Sequence, residues 1–124
     1  MRNLLLVAHG SRREASNEEV RNLTSQLQSH IYAQAQPPFE KVGCAFLELA
    51  LPSIPEGLES YISEGAKQIT VLPYFLSAGR HVSEDIPAEV QKVRNKYPHI
   101  EIKMVDYLGS STEICDLLLS LAVK

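Results

Sequence analysis

Residues 3–11 read Asn3-Leu4-Leu5-Leu6-Val7-Ala8-His9-Gly10-Ser11, and this stretch sets the frame for the whole chain. Its apolar run shows no polar alternation, which predicts a strand over 3–8 buried on both faces. Such a strand belongs inside a parallel sheet, with helices packed above and below it. The run stops abruptly at a histidine, a glycine and a serine, the composition of a turn at a strand's carboxyl end.

Outward from this strand the same unit repeats. Ser16-Asn17-Glu18-Glu19 has the spacing of a capping box, in which the Ser16 hydroxyl takes an orphan helix N–H and Glu19 reaches back. Val20, Leu23, Leu27 and Ile31 then fall on one helical face, and Gln36-Pro37-Pro38 ends the segment. Residues 41–47 predict a second buried strand. Ser53-Ile54-Pro55-Glu56 is a further capping pattern, followed by an apolar stripe of Leu58, Tyr61 and Ile62 and by Gly65 at the helix end. Residues 67–72 predict a third strand, at whose end Pro73 cannot donate to a ladder.

The segment 73–82 is long for a strand-to-helix connection, and long connections of this kind tend to carry function. Asp85 is placed to cap a third helix running to about Tyr97, with Ile86, Val90 and Val93 inward and Pro98 closing it. Residues 100–106 alternate like a strand with one face more exposed. Ser110-Ser111-Thr112-Glu113 opens a last helix carrying Ile114, Leu117, Leu118 and Leu121. The β-α-β-α-β-α-β-α pattern, with right-handed crossovers, predicts an α/β fold of three layers (α-β-α). Its four-stranded parallel sheet is flavodoxin-like, of order 2-1-3-4, and covered on both faces.

Composition agrees. The chain has 124 residues, 44% hydrophobic and 22% charged, which fits one domain over 1–124 with a core of its own. Twelve basic against fifteen acidic residues give a formal charge of −3 with no basic run, which excludes an extended nucleic-acid footprint. Cys44 and Cys115 show neither CxxC nor zinc spacing and read as small buried hydrophobes. The apolar run Leu4–Ala8 is too short for a signal core or a membrane span, so a cytoplasmic protein without a membrane partner is expected.

Ligands of such sheets bind beyond the carboxyl ends of the strands, at the switch point between strands one and three. His9 stands after strand one, Glu48 after strand two, and His81 in the long segment after strand three. Two imidazoles and a carboxylate, distant in sequence, therefore meet at one crevice. Imidazole is the commonest metal ligand, and two imidazoles with a carboxylate leave an open site rather than a closed structural zinc centre. His30 and His99 read as solvated. Arg12, Arg13 and Arg80 are either solvated surface charge or bidentate partners for carboxylates. No GxGxxG and no Walker lysine is present.

Val7-Ala8-His9-Gly10-Ser11-Arg12, Phe46-Leu47-Glu48-Leu49-Ala50 with Pro52-Ser53-Ile54, and Leu72-Pro73-Tyr74-Phe75-Leu76-Ser77-Ala78-Gly79-Arg80-His81-Val82 with Asp85-Ile86-Pro87 closely resemble the sirohydrochlorin chelatase family. These class II chelatases insert cobalt, nickel or ferrous iron into sirohydrochlorin on the routes to cobalamin and siroheme. The resemblance implies that His9 and His81 hold the metal and that Glu48 is the third catalytic group. It also implies a divalent metal and the tetrapyrrole as substrates, no permanently bound cofactor, and the short form of the family, which assembles as a homodimer. For the polycarboxylate substrate, Ser11, Arg12, Arg13, Ser77 and Arg80 are the natural polar contacts. Leu76, Ala78 and Gly79 would form a small apolar wall against the flat ring.

Other readings use the same residues. A metal carrier or delivery protein would need only the two histidines. Leu-Val-x-His-Gly also resembles histidine phosphatases, but the arginine that precedes their nucleophile is Ala8 here. A receiver module needs an acidic cluster after strand one, where this chain has His9-Gly10-Ser11.

Overall fold

The computed structural model describes residues 2–124. Strand β1 (Arg2–Ala8) lies between β2 (Lys41–Phe46) and β3 (Gln68–Pro73), and β4 (Glu101–Met104) pairs with β3. All pairings are parallel and the order is β2-β1-β3-β4, as the alternating pattern predicts. Leu6 faces Cys44 on one side and Leu72 on the other, so β1 is the central seam. Leu5, Leu6, Val7 and Ala8 are all buried, which is why this strand carries no polar alternation.

One face of the sheet packs on helices α2 (Ile54–Ser63) and α3 (Ile86–Lys96). Leu5, Val7, Ala45, Ile69, Val71 and Ile102 meet Leu58, Ile86, Val90 and Val93 there, in a core contributing ~1.5–3 kcal/mol for each fully buried large side chain. The close approach of α2 needs Gly57, where a Cβ would stand 3.2 Å from the Ala45 methyl. The Ser53 capping box is present: its hydroxyl accepts from Glu56 N (3.2 Å) and Glu56 Oε1 accepts from Ser53 N (3.0 Å). Gly65, at φ +100°, takes the chain out of α2 through a left-handed turn.

The opposite face is covered by α1 (Glu14–Tyr32), which lies on β2. Three expectations change here. Arg13 takes the N-cap position without a side-chain bond, so Ser16 lies inside the first turn and the predicted capping box does not form. The fully buried seam of the helix is Asn17, Thr24 and Ile31, with Val20, Leu23 and Leu27 half-buried beside it. The third helix also starts earlier than expected. A wide π turn (His81–Asp85) runs directly into α3, and Asp85 is an interior helical residue, not a cap. The π winding, with Ile86 N donating to His81 O, precedes Pro87, which has no N–H and whose ring crowds the preceding turn.

Helix α4 (Glu113–Ala122) forms at the predicted place but buries none of its residues. Leu117, Leu118, Leu119 and Leu121 are each more than half exposed, and Cys115, expected to be buried, is exposed too. The sheet is therefore not covered on both faces throughout. Beyond α1, the same face of β3 and β4 is an open groove of about 400 Å³ lined by Arg2, Gln68, Thr70, Glu101 and Lys103. Cys44 is half-buried beneath α1, where burial pushes its thiol up despite a hydrogen bond with Thr24. No helix among the described residues is long and apolar enough to cross a membrane.

Candidate functional site

The β1–β2 ladder continues past both strand ends. Leu47 N donates to Ala8 O (2.9 Å) and Glu48 N to His9 O (3.0 Å), so Glu48 is carried alongside His9 by main-chain bonds. The two side chains face each other, with His9 Nε2 3.7 Å from Glu48 Oε1. This approach depends on Gly10. Its φ is +96°, and a Cβ there would lie 1.7 Å from the Glu48 carbonyl oxygen. The next turn is also left-handed, at Leu49 (φ 68°), a conformation that costs a non-glycine residue ~1–2 kcal/mol.

Beyond Gly10 the chain is pinned by a residue that sequence reasoning missed. Asn17 is only 2% exposed, and its amide takes both main-chain groups of Ser11: Oδ1 accepts from Ser11 N (2.9 Å) and Nδ2 donates to Ser11 O (2.8 Å). Nδ2 also donates to Glu14, whose carboxyl is held below the usual range chiefly by Arg21 and then by Asn17. The first turn of α1 is thus a bracket for the loop after β1. The available signal was a polar residue one heptad before Thr24 and two before Ile31, in the buried register of the helix.

His81 reaches the same crevice from the first position of the π turn, not from the loop that the sequence suggested. Its ring centroid lies 4.6 Å from that of His9, with the planes inclined at 55°. Both rings are held through Nδ1: that of His9 lies 2.9 Å from Gly10 O, and that of His81 2.8 Å from Asp85 Oδ2. Carbonyl and carboxylate oxygens accept, so each Nδ1 is the donor, and in the neutral ring that tautomer leaves the lone pair on Nε2. A ligand nitrogen ~2.1 Å from an ion puts its ring centroid about 3.2 Å away, so cis octahedral ligands would have centroids about 4.5 Å apart and tetrahedral ones about 5.2 Å. The observed spacing of 4.6 Å is short enough for both rings to serve one ion.

Among the described residues no three His, Cys, Asp or Glu side chains converge as a metal cage. Two imidazole nitrogens with Glu48 beside them leave most of an ion's coordination sphere to water or an incoming ligand. An open site of this kind can transfer a metal, whereas a closed one would retain it.

Around this pair the remaining predicted residues are exposed, apart from the half-buried Ser11. Ser77, Ala78 and Gly79 form the loop leading to Arg80, the N-cap of the π turn, whose one ion pair among the described residues is with Glu84, at 3.8 Å. Arg12 and Arg13 are exposed on the loop after β1, and among the described residues neither makes an ion pair. The Ser11 hydroxyl oxygen accepts from Arg13 N (3.0 Å), leaving its proton free to donate. Leu76 is 71% exposed beside an apolar recess of about 190 Å³ formed with Tyr74, Phe75 and Leu108. Leu49 and Leu51 add exposed apolar surface after β2. His30 and His99 are exposed and stand apart from this group, as expected.

Comparison with known proteins gives a consistent picture. Residues 3–123 match the family model described as CbiX. The chain is 33% identical over 115 residues to a sirohydrochlorin ferrochelatase of Priestia megaterium, covering 93% of this chain and 41% of that protein. It is 32% identical over 121 residues to a sirohydrochlorin cobaltochelatase of Sulfolobus acidocaldarius, covering 98% and 89%. Among solved structures, that of SirB from Bacillus subtilis with Fe3+ superimposes with a TM-score of 0.81 at 28% identity, over 96% of this chain and 45% of that one. The chain thus spans less than half the length of the Priestia and Bacillus proteins and nearly all of the Sulfolobus one.

Proposed function

The chain belongs to the CbiX family, and from that premise we propose that it inserts a divalent metal ion into sirohydrochlorin, with Co2+ the first candidate and Fe2+ or Ni2+ alternatives. Metal and tetrapyrrole are both substrates, and no permanent cofactor takes part. The observation that carries the reading is the pair of imidazoles, His9 and His81, each engaged through Nδ1 and with ring centroids 4.6 Å apart, close enough to serve one ion.

In this mechanism the hydrated ion exchanges part of its water for the Nε2 atoms of His9 and His81. Neutral imidazoles bind Co2+, Ni2+ and Fe2+ alike, so affinity alone does not choose among them. The macrocycle approaches the ion's open side, its nitrogens replace the remaining water, and the two pyrrole N–H protons leave. Glu48, from its place beside His9, or a histidine once it has released the metal, accepts one of these protons, and the other passes to water. Leu76, Ala78 and Gly79 give an apolar shelf on which the ring can be pressed out of plane. Arg12, Arg13 and Arg80, with Ser11 and Ser77, meet the peripheral carboxylates; without such local cations a chain of charge −3 would repel them.

The same reading includes a homodimer. Its support is the bare apolar face of α4 and the open β3–β4 face beside it. The deciding experiment is anaerobic spectrophotometry of sirohydrochlorin with each of the three metals, with and without the protein. A protein-dependent rate that disappears in both His9→Ala and His81→Ala is expected. Clear metal binding without acceleration for any metal would replace the chelatase by a metal carrier.

A further inference from the structure

Asp85 lies outside the histidine–glutamate group, yet among the described residues its carboxylate is the one side-chain acceptor for His81. Oδ2 is 2.8 Å from His81 Nδ1, across the π turn that joins them. We infer that Asp85 is a positioning residue of the metal site, holding His81 with Nδ1 protonated and Nε2 directed at the incoming ion. This rests on the metal-binding role of His81 proposed above.

Three observations support it. Asp85 makes no capping bond, although aspartate in a helix interior is a poor helix former, so its helical setting gives no reason for the residue. The carboxylate is half-buried and engaged with the imidazole, not with a cation. The two histidines are also held differently, since His9 uses the main-chain carbonyl of Gly10, an acceptor that every residue type supplies. The loop fixes His9 unaided, whereas His81, on the less regular π turn, relies on a side chain. A free neutral imidazole populates both tautomers, and protonated Nε2 has no lone pair for a metal. Outer partners of this kind are commonly worth 10–100-fold in metal affinity.

The test uses the full chain as Asp85→Ala and Asp85→Asn, with Co2+ as the probe and with the His81→Ala and His9→Ala variants alongside. In the metal-free wild type, long-range 1H–15N spectra of the imidazoles are expected to show His81 as the Nδ1–H tautomer. In Asp85→Ala it should move toward the Nε2–H form while the His9 signals stay in place. Co2+ affinity should fall about 10–100-fold, with KM for the metal rising more than kcat falls. Asp85→Asn keeps an oxygen acceptor at the same reach and should recover part of that loss. A merely structural role would lower the melting temperature without changing the His81 tautomer. An unchanged tautomer, or Co2+ affinity within twofold of wild type in Asp85→Ala, overturns the inference. If His81→Ala itself binds Co2+ normally, the two-histidine site is wrong; if His81→Ala loses Co2+ and Asp85→Ala does not, only the role of Asp85 fails.

Discussion

Gly10→Ala tests how the site is assembled without touching any group that meets metal or ring. The added Cβ would stand 1.7 Å from Glu48 O and 2.9 Å from its carbon, at φ +96°. Ordinary van der Waals contact begins at 3.4 Å, so backbone must separate by 3.4 minus 1.7, or 1.7 Å, between the loops after β1 and β2. The nearest bonds to yield are Glu48 N to His9 O and Leu47 N to Ala8 O. Their loss costs about 1 kcal/mol each, and the left-handed alanine a further ~1–2 kcal/mol, together about 3–4 kcal/mol of stability. Moving Glu48 from its place 3.7 Å from His9 by this amount is expected to lower chelation at least 100-fold, because a misplacement of about 1 Å already costs that much. Co2+ binding should fall less, since His9 and His81 lie on the other side of the separation. Urea denaturation, Co2+ titration and the insertion rate, measured on one preparation, check all three parts. A variant with wild-type stability and rate would show that the His9–Glu48 approach is not what Gly10 protects.

Other consequences are open to measurement. Asn17→Ala leaves both main-chain groups of Ser11 without their partner and is expected to cost about 2–3 kcal/mol in urea denaturation and to weaken Co2+ binding; an unchanged midpoint would show that the loop needs no bracket. Burial raises the phenol of Tyr61, which donates to Leu4 O. The folded form is therefore the neutral one, so stability is full below the unfolded pKa of about 10 and falls as pH rises through it, a slope that Tyr61→Phe should flatten. Leu118→Asp, on the exposed apolar face of α4, is expected to convert a sedimenting dimer into monomer with the sheet intact by circular dichroism. A wild type that is monomeric at micromolar concentration and still active would remove the dimer from the proposed function.

What the sequence revealed depended on the range of the forces involved. Leu4 to Ala8 declare a strand because burial on both sheet faces favours apolar side chains at successive positions, and the Ser53 box declares a helix start because its bonds close within four residues. The strand order then placed His9, Glu48 and His81 at one rim, since parallel pairing fixes which strand ends are neighbours. The Ser16 box failed for a reason of the same kind. Its bonds are local, but Asn17 next to it makes longer-range bonds to Ser11, and satisfying the buried loop moved the helix start to Glu14.

The π turn and α4 mark the limit in opposite ways. Asp85 before Ile86-Pro87 has the composition of a helix start, because aspartate caps and proline tolerates a first turn. What overrides it is the helical chain already running from His81, widened ahead of Pro87, in which the carboxylate turns back to an imidazole four residues earlier. Nothing local to Asp85 distinguishes a cap from a partner of His81, because the same oxygen serves either use. For α4 the local reading is right and its surroundings are missing. Leu117, Leu118, Leu119 and Leu121 have the spacing of a helix suited to burial, and among the described residues no layer covers them. An apolar stripe marks a face suited to burial without naming the molecule that would cover it, so a chain that completes its layers in a partner would read the same as one that completes them alone.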